Sequence, residues 1–417
     1  MHVTLDNIFA FLILILIVVT FTGYIIPSAY FSFTTVREHQ LEEVAQSIMD
    51  KILLSPGVPE NWGDIHMVQS ENGLKAFGLQ KADGEPYELD VNKIMRIVSV
   101  NTSTTKTLPS YVRISPDAMA RLLGLGRDYG FSIRITPALN MSIKTVDTYT
   151  FSNGRGEGHG QLTVPRRVEV TVTTPDGRPA LGANVTGLFI FMSIRKQGSR
   201  EDCYVNSSYL SSQRTDWRGK TTLDFTALLS SIDNELRGKV LKKSCSSIVI
   251  YADYYGIKAI NSSLLATDAD SILGGTVVDN YLILEHEAGD EFEFFTPPAA
   301  IHLGKEVALA NPPYYVYLSD FEEETRGESG RIINNGHFNI RVYELTNVVD
   351  DDVSLILMPV KYRGNYLLTC FFRAPSNVLC QKGAASGNIK TSVLKRMARI
   401  GSFHYIVEVR VWRWGEG

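Results

Sequence analysis

The chain has 417 residues, of which 44% are hydrophobic, 10% aromatic and 21% charged, a composition that excludes a disordered, collagen-like or multi-span membrane protein. At roughly 100–200 residues per domain this length predicts two or three domains. Lys and Arg number 41 against 45 Asp and Glu, a net charge of −4 with no basic stretch, so no nucleic-acid partner is expected.

The apolar residues are concentrated at the start. The run IFAFLILILIVVTFTGYII (8–26) carries no charge, and Arg37 is the first charged residue after Asp6. About 20 apolar residues in a helix cross a bilayer, so this run predicts one transmembrane helix, with membrane lipid as its partner. A cleaved signal peptide is disfavoured: the run exceeds an h-region of about 7–15 residues, and neither a basic n-region nor a small-x-small cleavage site accompanies it. The tail MHVTLDN has no Lys or Arg and leaves orientation open on the positive-inside rule.

Leu41, Val44, Ala45, Ile48, Met49 and Ile52 then recur at helical spacing, with Glu42, Glu43, Asp50 and Lys51 between them. This predicts an amphipathic stem over 35–55, packed through Leu41, Val44, Ile48 and Ile52 on the body or on a neighbouring subunit. It either continues the membrane helix through a kink at Pro27 or starts afresh after a break. Ser55-Pro56-Gly57 ends it. LDVNKIMRIV (89–98) reads as a short helix capped by Asp90. SPDAMARLLGL (115–125) reads as another, with Ser115 as N-cap and Pro116 at the first position. FSIRITPAL (131–139) alternates as a strand. The region 56–151 is therefore expected to be small and α+β.

SNGRGEGHGQ (152–161) reads as a Gly-rich linker or hairpin tip, with the linker drawn over 152–165. Beyond it the period becomes two. Val168, Val170 and Val172 alternate with Glu169, Thr171 and Thr173, and the turn Pro175-Asp176-Gly177 follows. TDWRGKTTLDF (215–225) and SIVIYADYYGIKAI (247–260) continue a strand-and-turn pattern that predicts a β-sandwich over 166–270. The remainder, 271–417, offers YLILEHE, FNIRVYEL, VSLILMPVKY, YLLTCFFRA and FHYIVEVRVWRW as strands of a C-terminal β domain.

No catalytic or metal-binding motif emerges, and no cofactor is expected: H-E-x-x-H, G-x-S-x-G and C-x-x-C are absent from the sequence. Gly219-Lys220-Thr221 matches the end of a P-loop, but Arg214 stands where that loop's first Gly belongs. Alternation on a strand puts His286 on the face opposite Glu285 and Glu287. The acidic stretches 320–328 and 348–354 read as solvated loops before calcium sites.

Four cysteines and five N-x-S/T sequons, at Asn101, Asn140, Asn184, Asn206 and Asn261, point to an extracytoplasmic body. Ala374-Pro375-Ser376-Asn377 reads as a turn that opposes Cys370 to Cys380 on a hairpin. That leaves Cys203 with Cys245 inside the sandwich. Pairing across domains and four buried thiols are the alternatives.

Two resemblances follow from these residues. PDGRPALGANV (175–185), TDWRGKTTLDF and VIYADYYG resemble an immunoglobulin-like sandwich of the kind repeated in prokaryotic surface proteins; this implies a fold and no ligand. The first 140 or so residues are similar to archaeal type IV pilin-like membrane proteins. The basis is TLDN before the apolar helix, the amphipathic continuation, and SPGVPENW followed by FGL. The expectation is a mainly β, single-pass cell-membrane protein with its body outside, acting by interaction or self-association as a pilin-like envelope component or adhesin. A ligand-binding subunit serving a membrane partner and a surface hydrolase are the other classes.

Overall fold

The computed structural model describes residues 2–413 apart from 23–25, 69, 98–112, 152–162, 198–199, 211, 238, 267–273, 280, 288–291, 295–298, 304–314, 318–320, 324–337, 346–352, 363–364, 376 and 385–388. The chain is mainly β, with 49% of residues in strands of several antiparallel sheets.

Helices α1 (His2–Thr20) and α2 (Ile26–Leu54) open the chain. Pro27 falls in the first turn of α2, where a missing N–H is tolerated. Two short helices follow, α3 (Val91–Ile97) and α4 (Pro116–Leu122). The Asp90 carboxylate accepts from the N–H of Asn92 at 2.8 Å and of Lys93 at 3.3 Å, and the Ser115 hydroxyl accepts from Ala118 N–H at 3.1 Å. Both starts are thus set by their cap residues.

Ten elements come next: β1 (Tyr129–Pro137), β2 (Asn140–Thr150), β3 (Thr163–Thr173), β4 (Asn184–Gln197), β5 (Arg200–Tyr209), β6 (Gln213–Arg214), β7 (Lys220–Asp224), α5 (Thr226–Glu235), β8 (Val240–Tyr254) and β9 (Ile257–Ala266). The last third holds β10 (Gly274–Val278), β11 (Tyr281–Glu287), β12 (Phe292–Phe294), β13 (Ala299–His302), β14 (Tyr315–Tyr317), β15 (Phe321–Glu323), β16 (Phe338–Leu345), β17 (Ser354–Tyr362), β18 (Asn365–Arg373), β19 (Val378–Lys382), β20 (Thr391–Ile400) and β21 (Phe403–Arg413).

The strand pairing joins regions that the sequence separates. β1 lies between β19 and β21, and β20 completes a four-stranded sheet in the order β19-β1-β21-β20. Phe131, Ile133 and Ile135 stand opposite Val411, Val409 and Val407, so one face carries a continuous apolar surface. The C-terminal half of α2 packs on this sheet through β20 and β21. The last strands of the chain therefore share a sheet with β1 and pack on the stem.

The sandwich is built from sheet β2-β3-β7 and a sheet in the order β5-β4-β8-β9, with β6 added on β4. Val168, Val170 and Val172 of β3 and Leu223 of β7 meet Phe189, Phe191, Ile248 and Ile250 of the facing sheet. β2 belongs to this sandwich although it precedes the Gly-rich stretch. Thr150 pairs with Thr163, so 152–161, itself outside the described residues, joins the two arms of a hairpin. Helix α5, which no sequence pattern announced, adds Leu229 and Ile232 to the same core.

β4 is buried on both faces. Phe189 and Phe191 point into the sandwich, while Leu188, Ile190, Met192 and Ile194 join a second core shared with α2, β1, β17 and β21. That double burial is why GLFIFMSI is an unbroken apolar run: a sheet covered on one side alternates, and one covered on both does not. The remaining strands form β10-β11-β16-β15 and a sheet of β12-β17-β13-β14 with β18 on β17.

Candidate functional site

Three features carry potential function: the apolar N-terminal segment, a buried charged junction, and the cysteines and sequons.

From Phe9 to Phe21, eleven large apolar side chains are between 43% and 65% exposed. Each fully exposed Leu, Ile or Phe forgoes about 1.5–3 kcal/mol relative to burial. The apolar residues surround this segment on every side, so no packing on one face could satisfy it. Among the described residues no helix is long and apolar enough to cross a membrane. The stem differs. Ile48 and Ile52 are buried, with Ala45, Met49 and Leu53 beside them, and Leu41 and Val44 are half-buried against the same core. Their partner is the sheet β19-β1-β21-β20.

The charged junction centres on α3, whose residues are all buried, Lys93 and Arg96 included. Lys93 Nζ donates to the carbonyls of Pro56 (3.0 Å) and Gln80 (2.7 Å) and lies 3.8 Å from Asp90. Arg96 donates to the carbonyls of Trp62 and Val68, the latter at 2.6 Å, and its guanidinium lies 5.9 Å from the Trp62 ring centre. These two cations pin the loop 55–80 by capturing its carbonyls, and Trp62 Nε1–H donates to Gly78 O at 2.8 Å.

Two distant parts of the chain complete the junction. Asp279, in the turn between β10 and β11, accepts from Ile65 N–H at 3.2 Å, and Arg373, at the end of β18, donates to the Asn92 side chain. Burial pushes the Asp279 carboxyl up to about 6, with Asp64 adding to the rise. Burial also lowers Arg96 to about 10, against the opposing pull of Asp279 and Asp64. The arrangement locks the loop 62–68, α3 and two strand ends together. The sequence offered only a faint signal for it: charges set within apolar runs, in NKIMRIV and CFFRAP, which read more simply as solvent-facing positions.

No disulfide joins any two of the four cysteines. The hairpin expected between Cys370 and Cys380 is replaced by a crossing between sheets. β18 pairs with β17, where Cys370 opposes Leu357, and β19 pairs with β1, where Cys380 opposes Ile133. The Cys380 thiol instead lies 3.9 Å from the Met119 sulfur. Cys203 and Cys245 flank β4 on opposite sides, opposite Ile194 and Met192. Two strand spacings alone separate their Cα atoms by about 9.6 Å, and the two-residue offset along β4 adds to that, beyond the roughly 7 Å that a disulfide can bridge. Burial raises the thiols of Cys370 and Cys380 to about 12, and raises Cys245 with Cys370 and Cys203 as neighbours. These groups are held as protonated thiols.

Of the sequon asparagines, Asn140 and Asn184 are exposed at strand starts. Asn206 donates to the Tyr204 hydroxyl at 3.0 Å and Asn261 to Met141 O at 2.9 Å; Asn101 lies outside the described residues. His286 and the acidic stretch 348–354 have no described side-chain surroundings apart from Val353 and Ser354, which are buried. Among the described residues no group of three or more His, Cys, Asp or Glu could hold a metal ion.

No protein-family model matches the chain, and no curated protein matches it.

Proposed function

We propose that this is a membrane-anchored, extracytoplasmic structural or interaction protein: an apolar N-terminal helix holds it in a bilayer, and its β-rich body acts by contact with other proteins or with copies of itself. The observation that carries this reading is the exposure, on every side, of the apolar segment from Phe9 to Phe21. Water is a poor solvent for such a helix and hydrocarbon a good one. In sequence the apolar run 8–26 is 19 residues long, close to the about 20 apolar residues that cross a hydrocarbon core.

The junction of α2 with the body supports a pilin-like arrangement. Its C-terminal half lies on an antiparallel sheet, and the chain on its N-terminal side leads to the exposed apolar segment. The exposed sequons at Asn140 and Asn184 accord with a body outside the cytoplasm.

Membrane fractionation tests the anchor. The full chain should stay in the membrane pellet through an alkaline carbonate wash, and residues 35–417 alone should be recovered folded in the supernatant. A truncated chain retained in the washed pellet, or a full chain released by the wash, overturns the proposal.

A further inference from the structure

One end of the sandwich gathers the most exposed aromatic side chains among the described residues of the body. Three connections meet there: 174–183 between β3 and β4, 215–219 between β6 and β7, and 255–256 between β8 and β9. The register places them together. Asn184 at the start of β4 lies opposite both Arg214 of β6 and Asp253 of β8, and Thr171 of β3 lies opposite Lys220 of β7. On these turns Tyr255 is 88% exposed, Trp217 68% and Leu181 56%.

The turns are held from within. Thr215, buried, accepts from Ala183 N–H at 2.9 Å and donates to Ala180 O, while Gly182 N–H donates to Thr215 O at 3.1 Å. The carboxylates of this end are engaged by the chain itself. Asp216 accepts from the N–H groups of Arg218 (2.8 Å) and Lys220 (2.9 Å), Asp253 from Gly256 N–H (2.9 Å), and Asp176 from Thr174 and from Arg178 at 2.9 Å. Asp176 and Asp216 are exposed but turned onto donors of their own turns, so the groups that offer a ligand contacts here are aromatic and cationic: the Trp217 ring with the Arg218 guanidinium 4.4 Å from its centre, the Tyr255 ring, and exposed Arg214. Gly177, Gly182 and Gly256 have open space where a side chain would stand, so the rings rise from a low backbone surface.

We propose that this end of the sandwich binds an anionic carbohydrate, a polymer of uronic-acid type, with Trp217 and Tyr255 stacking on pyranose faces and Arg214 and Arg218 pairing with its carboxylates. Flat, rigid aromatic rings offer apolar area at little entropic cost, and guanidinium groups pair with carboxylates in a fork geometry. β6 and β8 flank β4, so the two aromatic turns are about 10 Å apart across the sheet, a span that suits sugar units two apart along one chain. A lipid interface also accepts Trp, Tyr and Arg, so the vesicle arm of the test separates the two.

Native affinity electrophoresis of the full chain in detergent micelles, with polygalacturonate in the gel, tests the site. Polygalacturonate should retard the protein, neutral dextran should not, and added salt should weaken the retardation. Trp217→Ala, Tyr255→Ala and Arg218→Gln should each weaken binding roughly tenfold or more, and Val393→Ala, on a distant exposed strand, should leave it unchanged. All four positions are exposed, so melting curves of the variants should overlay the parent. Absence of retardation, equal retardation by dextran, or retardation unaffected by the three substitutions overturns the proposal. So does loss of binding to anionic phospholipid vesicles in Trp217→Ala without a change on polygalacturonate. The anchor plays no part in this readout, so failure here leaves the membrane proposal standing.

Discussion

Helices α1 and α2 follow one another in the chain and use the same apolar alphabet, yet they meet opposite fates. From Phe9 to Phe21 the side chains are exposed all round, and in α2 Ala45, Ile48, Met49, Ile52 and Leu53 are buried while the charged residues between them stay outside. The difference lies in apolar content and in its pattern: α1 is apolar along most of its length, α2 only along a stripe. A stripe can be satisfied by one packed surface, here the sheet β19-β1-β21-β20. A helix apolar on every side needs an apolar medium. The same substitution in the two segments should therefore have unlike effects.

Ile48→Asp gives the largest expected loss. Ile48 is 1% exposed, so the change deletes packed methylene groups and buries a charge in a dry core. We expect a loss of about 4–5 kcal/mol in body stability, read by chemical denaturation of the chain in detergent, with membrane retention unchanged. Leu41→Asp, at a half-buried position, should cost less. A parent-like midpoint for Ile48→Asp would show that the stem does not depend on the sheet.

Leu14→Asp is the counterpart. Leu14 is 57% exposed, and no loss of body stability is expected. An acidic residue at the centre of a membrane helix adds about 3 kcal/mol to insertion, so the fraction surviving a carbonate wash should fall while the melting midpoint stays. A fall in the midpoint instead would assign this segment to the body's own core.

A second contrast separates what is written locally from what only the assembled chain shows. The caps at Asp90 and Ser115, the alternation of Val168, Val170 and Val172, and the Asp216–Gly219 turn depend on neighbours in sequence, and each is legible there. The pairing of β1 with β21 joins residues more than 260 positions apart, and no local pattern encodes it. The same limit explains the cysteines. Pro375 and Asn377 mark the gap between the end of β18 and the start of β19, but not that the chain leaves one sheet for another. GLFIFMSI did hold a readable sign, since a strand apolar at every position implies a second covering layer. At the binding end, Trp217 and Tyr255 lie in turns that the sequence marks, TDWRG and ADYYG, but their exposure together follows from strand register.

Gly219→Ala probes the local class. Gly219 has φ of +73°, and an added Cβ would lie 2.4 Å from Val172 O. A left-handed non-glycine residue costs about 1–3 kcal/mol, and contact with a backbone atom leaves little room to relax. We expect a loss of about 2–3 kcal/mol on the denaturation curve. Since Gly219 also sets the Trp217 turn, polygalacturonate binding should weaken with it. An unchanged midpoint would mean the turn rearranges freely.

Asp279 probes the long-range class, and its signature is pH. Its carboxyl is held at about 6, above the ordinary value of 3.8, because burial opposes the charge and Asp64 repels it, while Ile65 N–H, Arg373 and His66 pull the other way. A carboxyl raised in the folded state binds its proton more tightly there than in the unfolded chain. Folding is therefore favoured by protonation: the penalty is absent below about pH 4 and complete above about pH 6. Raising a carboxyl from 3.8 to about 6 corresponds to at most about 3 kcal/mol, and relaxation around the junction should reduce this to about 1–2 kcal/mol. Asp279→Asn keeps an oxygen for the Ile65 N–H and removes the charge. Between about pH 4 and 6 the parent should lose stability as pH rises, and the variant should lose less by that amount, ending more stable at about pH 7. Parallel pH profiles would show that Arg96 and Arg373 neutralise Asp279 fully, and that the junction is a satisfied ion network without a strained carboxylate.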